Sequence, residues 1–192
     1  MRLDHVAYRT KNRHETAKFF EKAFGYTVGT EFQVQFDDDT NADCIALVPP
    51  EKRHPETRMW TYSVLQAIPA IAQRHSGAQE TVKSEYHAPP EIFVSDGPEG
   101  SIVGDWVKER GGVGGIHHMA YQVDDVEATM HSWRQFGYVE FLSDKPLECP
   151  GLKQVFTKPS ELTVIIYEII KRDGKGFCEN NVKGLMESTK GH

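Results

Sequence analysis

Two histidines, His5 and His118, sit in closely similar hexapeptides, "LDHVAY" at 3–8 and "IHHMAY" at 116–121. Two glutamates, Glu91 and Glu168, open a second matched pair of segments, "EIFVSDG" at 91–97 and "EIIKRDG" at 168–174. Imidazole nitrogen and carboxylate oxygen together suit divalent first-row metals. Two histidines with one carboxylate leave coordination positions open, the facial arrangement of non-haem iron(II) oxygenases. One buried histidine is ordinary, but histidines and carboxylates in symmetric slots of a repeat point to a shared cation. Side chains alternate along a strand, so His117 and His118 are expected to face opposite sides of their sheet; the repeat selects His118, the counterpart of His5. On the last strand Val164, Ile166, Glu168 and Ile170 share a face, which sets a carboxylate among apolar neighbours where an unpaired charge is costly.

The elements that must position these groups are repeated as well. Each histidine segment is followed by a helical pattern that closes on Phe-Gly-Tyr, residues 24–26 and 136–138, so the chain contains two copies of one supersecondary unit. In the first copy, residues 2–9 read as a strand and 14–24 as a helix. Strands follow at 26–36 and 43–50, separated by the acidic turn 37–41, and then at 90–95. The second copy reads as a strand at 115–122, a helix at 125–136 with Asp124 and Asp125 as its N-cap, and strands at 138–142, 152–157 and 161–171. The predicted fold class is therefore α+β. Two βαβββ modules, residues 1–112 and 113–192, form one cupped mixed sheet around a metal site. An insert at about 51–89, with a helix from Arg58 to His75 bent at Pro69, lengthens the first module and offers a lid, a dimer surface or plain decoration. The glycine-rich stretch 111–115 links the modules, and Val182, Leu185 and Met186 mark a C-terminal amphipathic helix suited to packing across the mouth of the sheet.

Composition narrows the function classes. The 192 residues carry 22 basic and 28 acidic side chains, a formal charge of −6, with no basic stripe, so nucleic acid and anionic membranes are not the expected partners. Three scattered cysteines form no CxxC pair, which speaks against a disulfide framework or a cysteine zinc site and for a reducing cytoplasm. No stretch reads as a signal peptide or membrane span. No nucleophile elbow, P-loop or dinucleotide glycine pattern occurs. The expected partner is a small-molecule substrate.

With these motifs in hand, the chain resembles the vicinal oxygen chelate (glyoxalase/bleomycin resistance/dioxygenase) superfamily, whose members pair βαβββ modules into a cupped sheet holding a divalent metal. Its second half is most similar to 4-hydroxyphenylpyruvate dioxygenases through "QVFTKP" at 154–159, "EIIKR" at 168–172 and "GFCENNVKGLMES" at 176–188. The resemblance implies that His5, His118 and Glu168 ligate iron(II), that Gln154 and Phe156 face the aromatic end of a substrate, and that Phe177 comes from the segment closing the site. It departs from that family at His117, where the family carries Gln, and in the closing motif, which here lacks two glycines and an aromatic. The implied activity is a dioxygenase acting on a small 2-oxo acid or aromatic substrate.

The stretch 99–126 also resembles methylmalonyl-CoA epimerases of the same superfamily, which brings in metal-dependent epimerases, isomerases and lyases using cobalt, zinc, nickel or manganese. Glu91 discriminates: a carboxylate pointing into the cup would be a fourth ligand or a catalytic acid/base for proton transfer alpha to a carbonyl. If Glu91 points away, three adjacent positions stay open for a bidentate 2-oxo acid and dioxygen. A binding protein of the same fold, catalysing nothing, is a third reading. Fused modules of this kind often dimerise, so a homodimer is compatible with the sequence.

Overall fold

The computed structural model describes residues 1–50, 89–173 and 176–192. The helix expected at 58–75 and nearly all of the 51–89 insert lie outside the described residues. In chain order the elements are β1 (Arg2–Arg9), α1 (Arg13–Phe24), β2 (Thr27–Gln35), β3 (Asn41–Val48), β4 (Glu91–Asp96), α2 (Ile102–Glu109), β5 (Gly115–Gln122), α3 (Val126–Phe136), β6 (Leu147–Cys149), β7 (Leu152–Phe156), β8 (Ile166–Arg172) and α4 (Glu179–Ser188). The eight strands form one sheet in the order β2-β3-β4-β1-β5-β8-β7-β6. This order is a palindrome of the repeat: β1 pairs in parallel with β4, β5 in parallel with β8, and the two first strands meet antiparallel at the centre. It is the expected α+β architecture, two βαβββ units sharing one curled sheet.

Local chemistry explains the equivalent helices. Asn12 and Asp125 accept hydrogen bonds from the backbone N–H groups of Glu15 and Ala128, capping α1 and α3. Gly25 and Gly137 stop them in the left-handed conformation, at φ 73° and 66°, which costs a residue without Cβ little. The alternation of each strand then sorts the faces. On one face α1 covers Val6, Ile45, Leu47, Ile92 and Val94, and α3 with its start covers Val123, Val155 and Ile169. Each such aliphatic side chain contributes about 2 kcal/mol by leaving water. On the other face lie His5, Ala7, Phe93, Ile166, Glu168 and Ile170, and Val182, Leu185 and Met186 of α4 pack there, as the amphipathic pattern implied.

Four expectations need correction. The strand placed at 138–142 is absent apart from a single bridge between Phe141 and Thr157. The edge strand is instead β6, joined to β7 by Pro150-Gly151, where Gly151 takes φ 75°; proline's fixed φ followed by a left-handed glycine closes a tight turn that local patterning undervalued. The last strand begins at Ile166, not 161: Val164 sits at φ 60° and its N–H bonds Ser160 O, so the preceding residues form a turn and Val164 is exposed. An unanticipated helix, α2, is capped by Ser101 and buries Val103, Trp106 and Val107. Finally, His117 and His118 do not separate to opposite faces. The pairing steps from Ala7↔His118 to Tyr8↔Ile116, leaving His117 as the extra residue of a β-bulge, and both imidazoles are buried on the same cavity.

Candidate metal centre

The central pair of strands and β8 bring the two histidines and one glutamate together. His5 Nε2 lies 3.3 Å from His118 Nε2, and Glu168 Oε2 lies 3.3 Å from each of them. All three residues are buried, and they form a group that could hold a metal ion. A triangle with edges of this length suits one ion with bonds of about 2.0–2.2 Å to nitrogen and oxygen. His5 and Glu168 reach the same point because each stands on the cup face of its own strand, and β5, between β1 and β8, presents His118.

Every member of the triangle has its other polar atom tied down. Asp4 Oδ1 lies 2.8 Å from His5 Nδ1, His117 Nδ1 lies 2.9 Å from His118 Nδ1, and Gln154 Nε2 donates to Glu168 Oε1 at 2.6 Å. Asn181, from α4, donates in turn to Gln154 Oε1 at 3.1 Å. The Asp4 contact puts the His5 proton on Nδ1 and leaves Nε2 as a lone pair directed at the triangle. This arrangement of outer partners orients ligands and raises their basicity in metal sites. Unless a metal ion or an added proton sits between them, the three inward atoms are acceptors facing one another in a dry environment, so the donor set fits a divalent ion.

The electrostatics carry the same message. Burial alone pushes the Glu168 carboxyl upward, but His5 and His118 outweigh it and hold the group well below the usual carboxylate range. Burial likewise opposes charge on His5, yet Glu168 and Asp4 raise its pKa to about 9. His118 goes the other way, to about 4, chiefly through burial. In the absence of metal a single proton on His5 therefore supplies the positive charge at the centre of the triangle.

A family model described as the glyoxalase/bleomycin resistance protein/dioxygenase superfamily matches residues 4–151. The chain belongs to this superfamily. Its fold is similar to a solved methylmalonyl-CoA epimerase, at 20% identity and TM-score 0.59 over 91% of this chain and 97% of that one. The methylmalonyl-CoA epimerase of Mycobacterium tuberculosis is similar at 16% identity and TM-score 0.56, over 90% and 88%. A mutant 4-hydroxymandelate synthase from Streptomyces coelicolor is similar at 19% identity and TM-score 0.70; it covers 98% of this chain, which spans 53% of the synthase. At these identities the likeness is one of fold. No curated protein matches the sequence.

Members of the glyoxalase/dioxygenase superfamily are mostly metal-dependent enzymes, and the remaining residues singled out in this member fall around the triangle. Gln154, Phe156 and Phe177 all line the cavity with His5, His118 and Glu168. The Phe156 ring centroid is 4.6 Å from that of His118, and Phe177 meets His5 edge-on at 5.1 Å. Gln154 is engaged by Glu168 and Asn181, so its amide acts on the carboxylate. Glu91 stands beside His5 in the β1–β4 pairing but is not in the three-residue group; its Oε2 accepts from Arg172 Nη1 at 3.0 Å. Arg172 also donates to Asp4 at 2.5 Å and lies over the Phe177 ring.

The cavity between the concave sheet face and α4 measures about 30 Å³ and is partly open. Asp4, His117 and Asn181 went unassigned in the sequence reading. A signal for the first two was available, because aligning the hexapeptides sets Asp4 against His117, each immediately before a histidine of the triangle. Among the described residues no helix is long and apolar enough to cross a membrane.

Proposed function

We propose that His5, His118 and Glu168 hold a divalent metal, iron(II) first among candidates, and that the protein is a dioxygenase of the 4-hydroxyphenylpyruvate dioxygenase type acting on a small 2-oxo acid. The observation that carries this reading is the count of inward donors. Three protein atoms converge, while the second carboxylate of the repeat, Glu91, is engaged by Arg172, which leaves room for ligands other than protein. A bound metal of this kind supplies Lewis acidity toward adjacent carboxylate and keto oxygens and a site for dioxygen.

The chain's own residues supply the rest. Asp4 and His117 hold the two imidazoles in one tautomer and direction, and Gln154 does the same for the carboxylate. Phe156, Phe177 and Phe93 give aromatic walls against which a substrate chain or ring can pack. The apolar face of α4 closes the cavity and keeps water from the reacting centre.

A metal-dependent epimerase or lyase is the second reading, favoured by the whole-chain likeness in fold to epimerases of matching length. In it Glu91, released from Arg172, would move a proton alpha to a carbonyl. One experiment separates the two: metal analysis of the purified protein, followed by oxygen uptake over a panel of 2-oxo acids. Oxygen consumption that depends on iron supports the dioxygenase. Solvent deuterium incorporation into a 2-methyl acyl thioester under strict anaerobiosis, with no oxygen consumed in air, refutes it in favour of the epimerase.

A further inference from the structure

Further along β1 from the triangle, the same cavity holds a cation that the proposed metal chemistry does not use. Arg9 follows His5 and Ala7 on the cup face of β1 and is only 2% exposed. Among the described residues its guanidinium makes one hydrogen bond, from Nη2 to Thr189 Oγ1 at 2.9 Å, and no carboxylate pairs with it. Its carbon lies 5.7 Å from the centre of the Trp106 ring. A buried guanidinium has five N–H donors and cannot shed its charge cheaply, so most of its bonding capacity here is unspent.

His117 adds a second unspent donor. Its Nε2 is buried with no hydrogen-bond partner, its ring stands edge-on to Trp106 with centroids 5.6 Å apart, and it lines the cavity with Arg9. The proton count follows from the triangle. If His118 offers the lone pair of Nε2 to an ion, its own proton is on Nδ1 and is donated to His117 Nδ1. The neutral His117 ring then carries its proton on Nε2, the buried nitrogen without a partner.

A guanidinium with most of its donors unused and a buried ring nitrogen without a partner, lining one cavity, call for an oxyanion. We propose that Arg9 and His117 form an anion subsite for a carboxylate at the far end of the substrate, so that the substrate is a small dicarboxylic acid spanning the cup from the metal to Arg9. The planar fork of Arg matches two carboxylate oxygens, and Arg110, whose guanidinium carbon lies 3.8 Å from the centre of the Trp106 ring, adds to the positive field. His5 and Arg9 are four residues apart, roughly 13 Å between Cα atoms at about 3.3 Å per residue. Shortened by the two side chains, that span fits a chain of about four to six carbons, whose methylenes would meet Phe93 and Leu185. The orientation rests on the proposed metal site; binding of the distal carboxylate does not.

The test compares 2-oxoglutarate with 2-oxovalerate, equal in carbon count and differing in the distal carboxylate, by calorimetric titration of the protein as purified and under anaerobic conditions. Wild type is expected to bind the diacid at least tenfold more tightly, and Arg9→Gln to bring the two to parity with unchanged metal content. Equal binding by wild type, or a preference that survives Arg9→Gln, overturns the proposal. If that variant does not fold, imidazole nitrogen NMR of the wild type decides: glutarate should shift the His117 Nε2 resonance and glutaramide should not, and the absence of a glutarate shift refutes the subsite. Failure here is distinct from failure of the dioxygenase reading. Oxygen uptake as fast on 2-oxovalerate as on 2-oxoglutarate sinks the subsite and keeps the reaction, whereas Arg9-dependent glutarate binding without any oxygen uptake does the reverse.

Discussion

Asp4 and His117 are equivalent residues of the two repeats, each the extra residue of a bulge in the central strand pair, and each contacts Nδ1 of the histidine that follows it, at 2.8 and 2.9 Å. A bulge re-aims the local side chains, so a residue that strict alternation would send to the opposite face ends up beside its neighbour's ring. The repeat has thus doubled the outer support of the triangle along with its two histidines.

This support is expected to be worth a factor of about 10–100 in metal affinity at each position. Asp4→Asn and His117→Phe should therefore retain the fold, judged by circular dichroism, while iron and zinc affinities measured by chelator competition fall by that factor. Unchanged affinities in both variants would show that the Nδ1 contacts are incidental.

Removing a ligand acts more severely. His118→Ala and Glu168→Ala should abolish stoichiometric metal loading, and the thermal midpoint of these variants should no longer respond to added metal or chelator, since stabilisation by a ligand requires that it bind the folded state. Wild type should lose several degrees when its metal is stripped. Equal metal content in wild type and variants contradicts the assignment.

The metal-free protein should show a characteristic pH dependence. Folding raises the His5 pKa from 6.5 to about 9, because Glu168 and Asp4 outweigh the cost of burial. Between these values the folded state binds more protons than the unfolded one, so stability present below pH 6.5 declines as the pH rises. From pH 6.5 to 8.5 the His5 contribution falls by roughly 2 kcal/mol, partly offset by His117 and His118, whose lowered pKa values favour the folded state as the pH rises through 6.5; the net slope is read from urea unfolding in the presence of chelator. His5→Asn should flatten this slope, and a metal-loaded sample should lack it because the ion takes the proton's place.

Glu91 separates the two chemistries. Glu91→Gln weakens the pairing with Arg172 but leaves the triangle intact, so a dioxygenase should keep its oxygen uptake within about threefold, whereas loss of a general base lowers proton exchange by about 100-fold or more. A large fall in oxygen uptake with normal metal content would place Glu91 in the dioxygenase machinery.

A substrate of about four to six carbons needs more room than the 30 Å³ cavity offers as it stands. The sheet wall is locked by its ladders, while α4 is held by side-chain packing and by bonds such as Asn181 to Gln154 and Thr189 to Arg9. Hydrogen exchange in 179–188 should accordingly be faster than in β5 and β8, and slow markedly on saturation with substrate. Exchange in α4 as slow as in the central strands would argue against opening at this wall.

Much of this protein was legible before any coordinates. The doubled hexapeptides, the capped helices ending in Gly25 and Gly137, and the choice of His5, His118 and Glu168 rest on local pattern and internal symmetry, which neighbouring residues determine. Pairing between distant strands decided the rest. Whether His117 shares the cavity with His118 depends on the register of β5 against β1, and whether Glu91 joins the triangle depends on Arg172, 81 positions away. Arg9 reads as an ordinary strand-end cation until the fold buries it with no carboxylate partner among the described residues. A one-dimensional pattern records which residues alternate, but bulges, ion-pair partners and unpaired buried donors are set by contacts that exist only once the two halves have closed into one sheet.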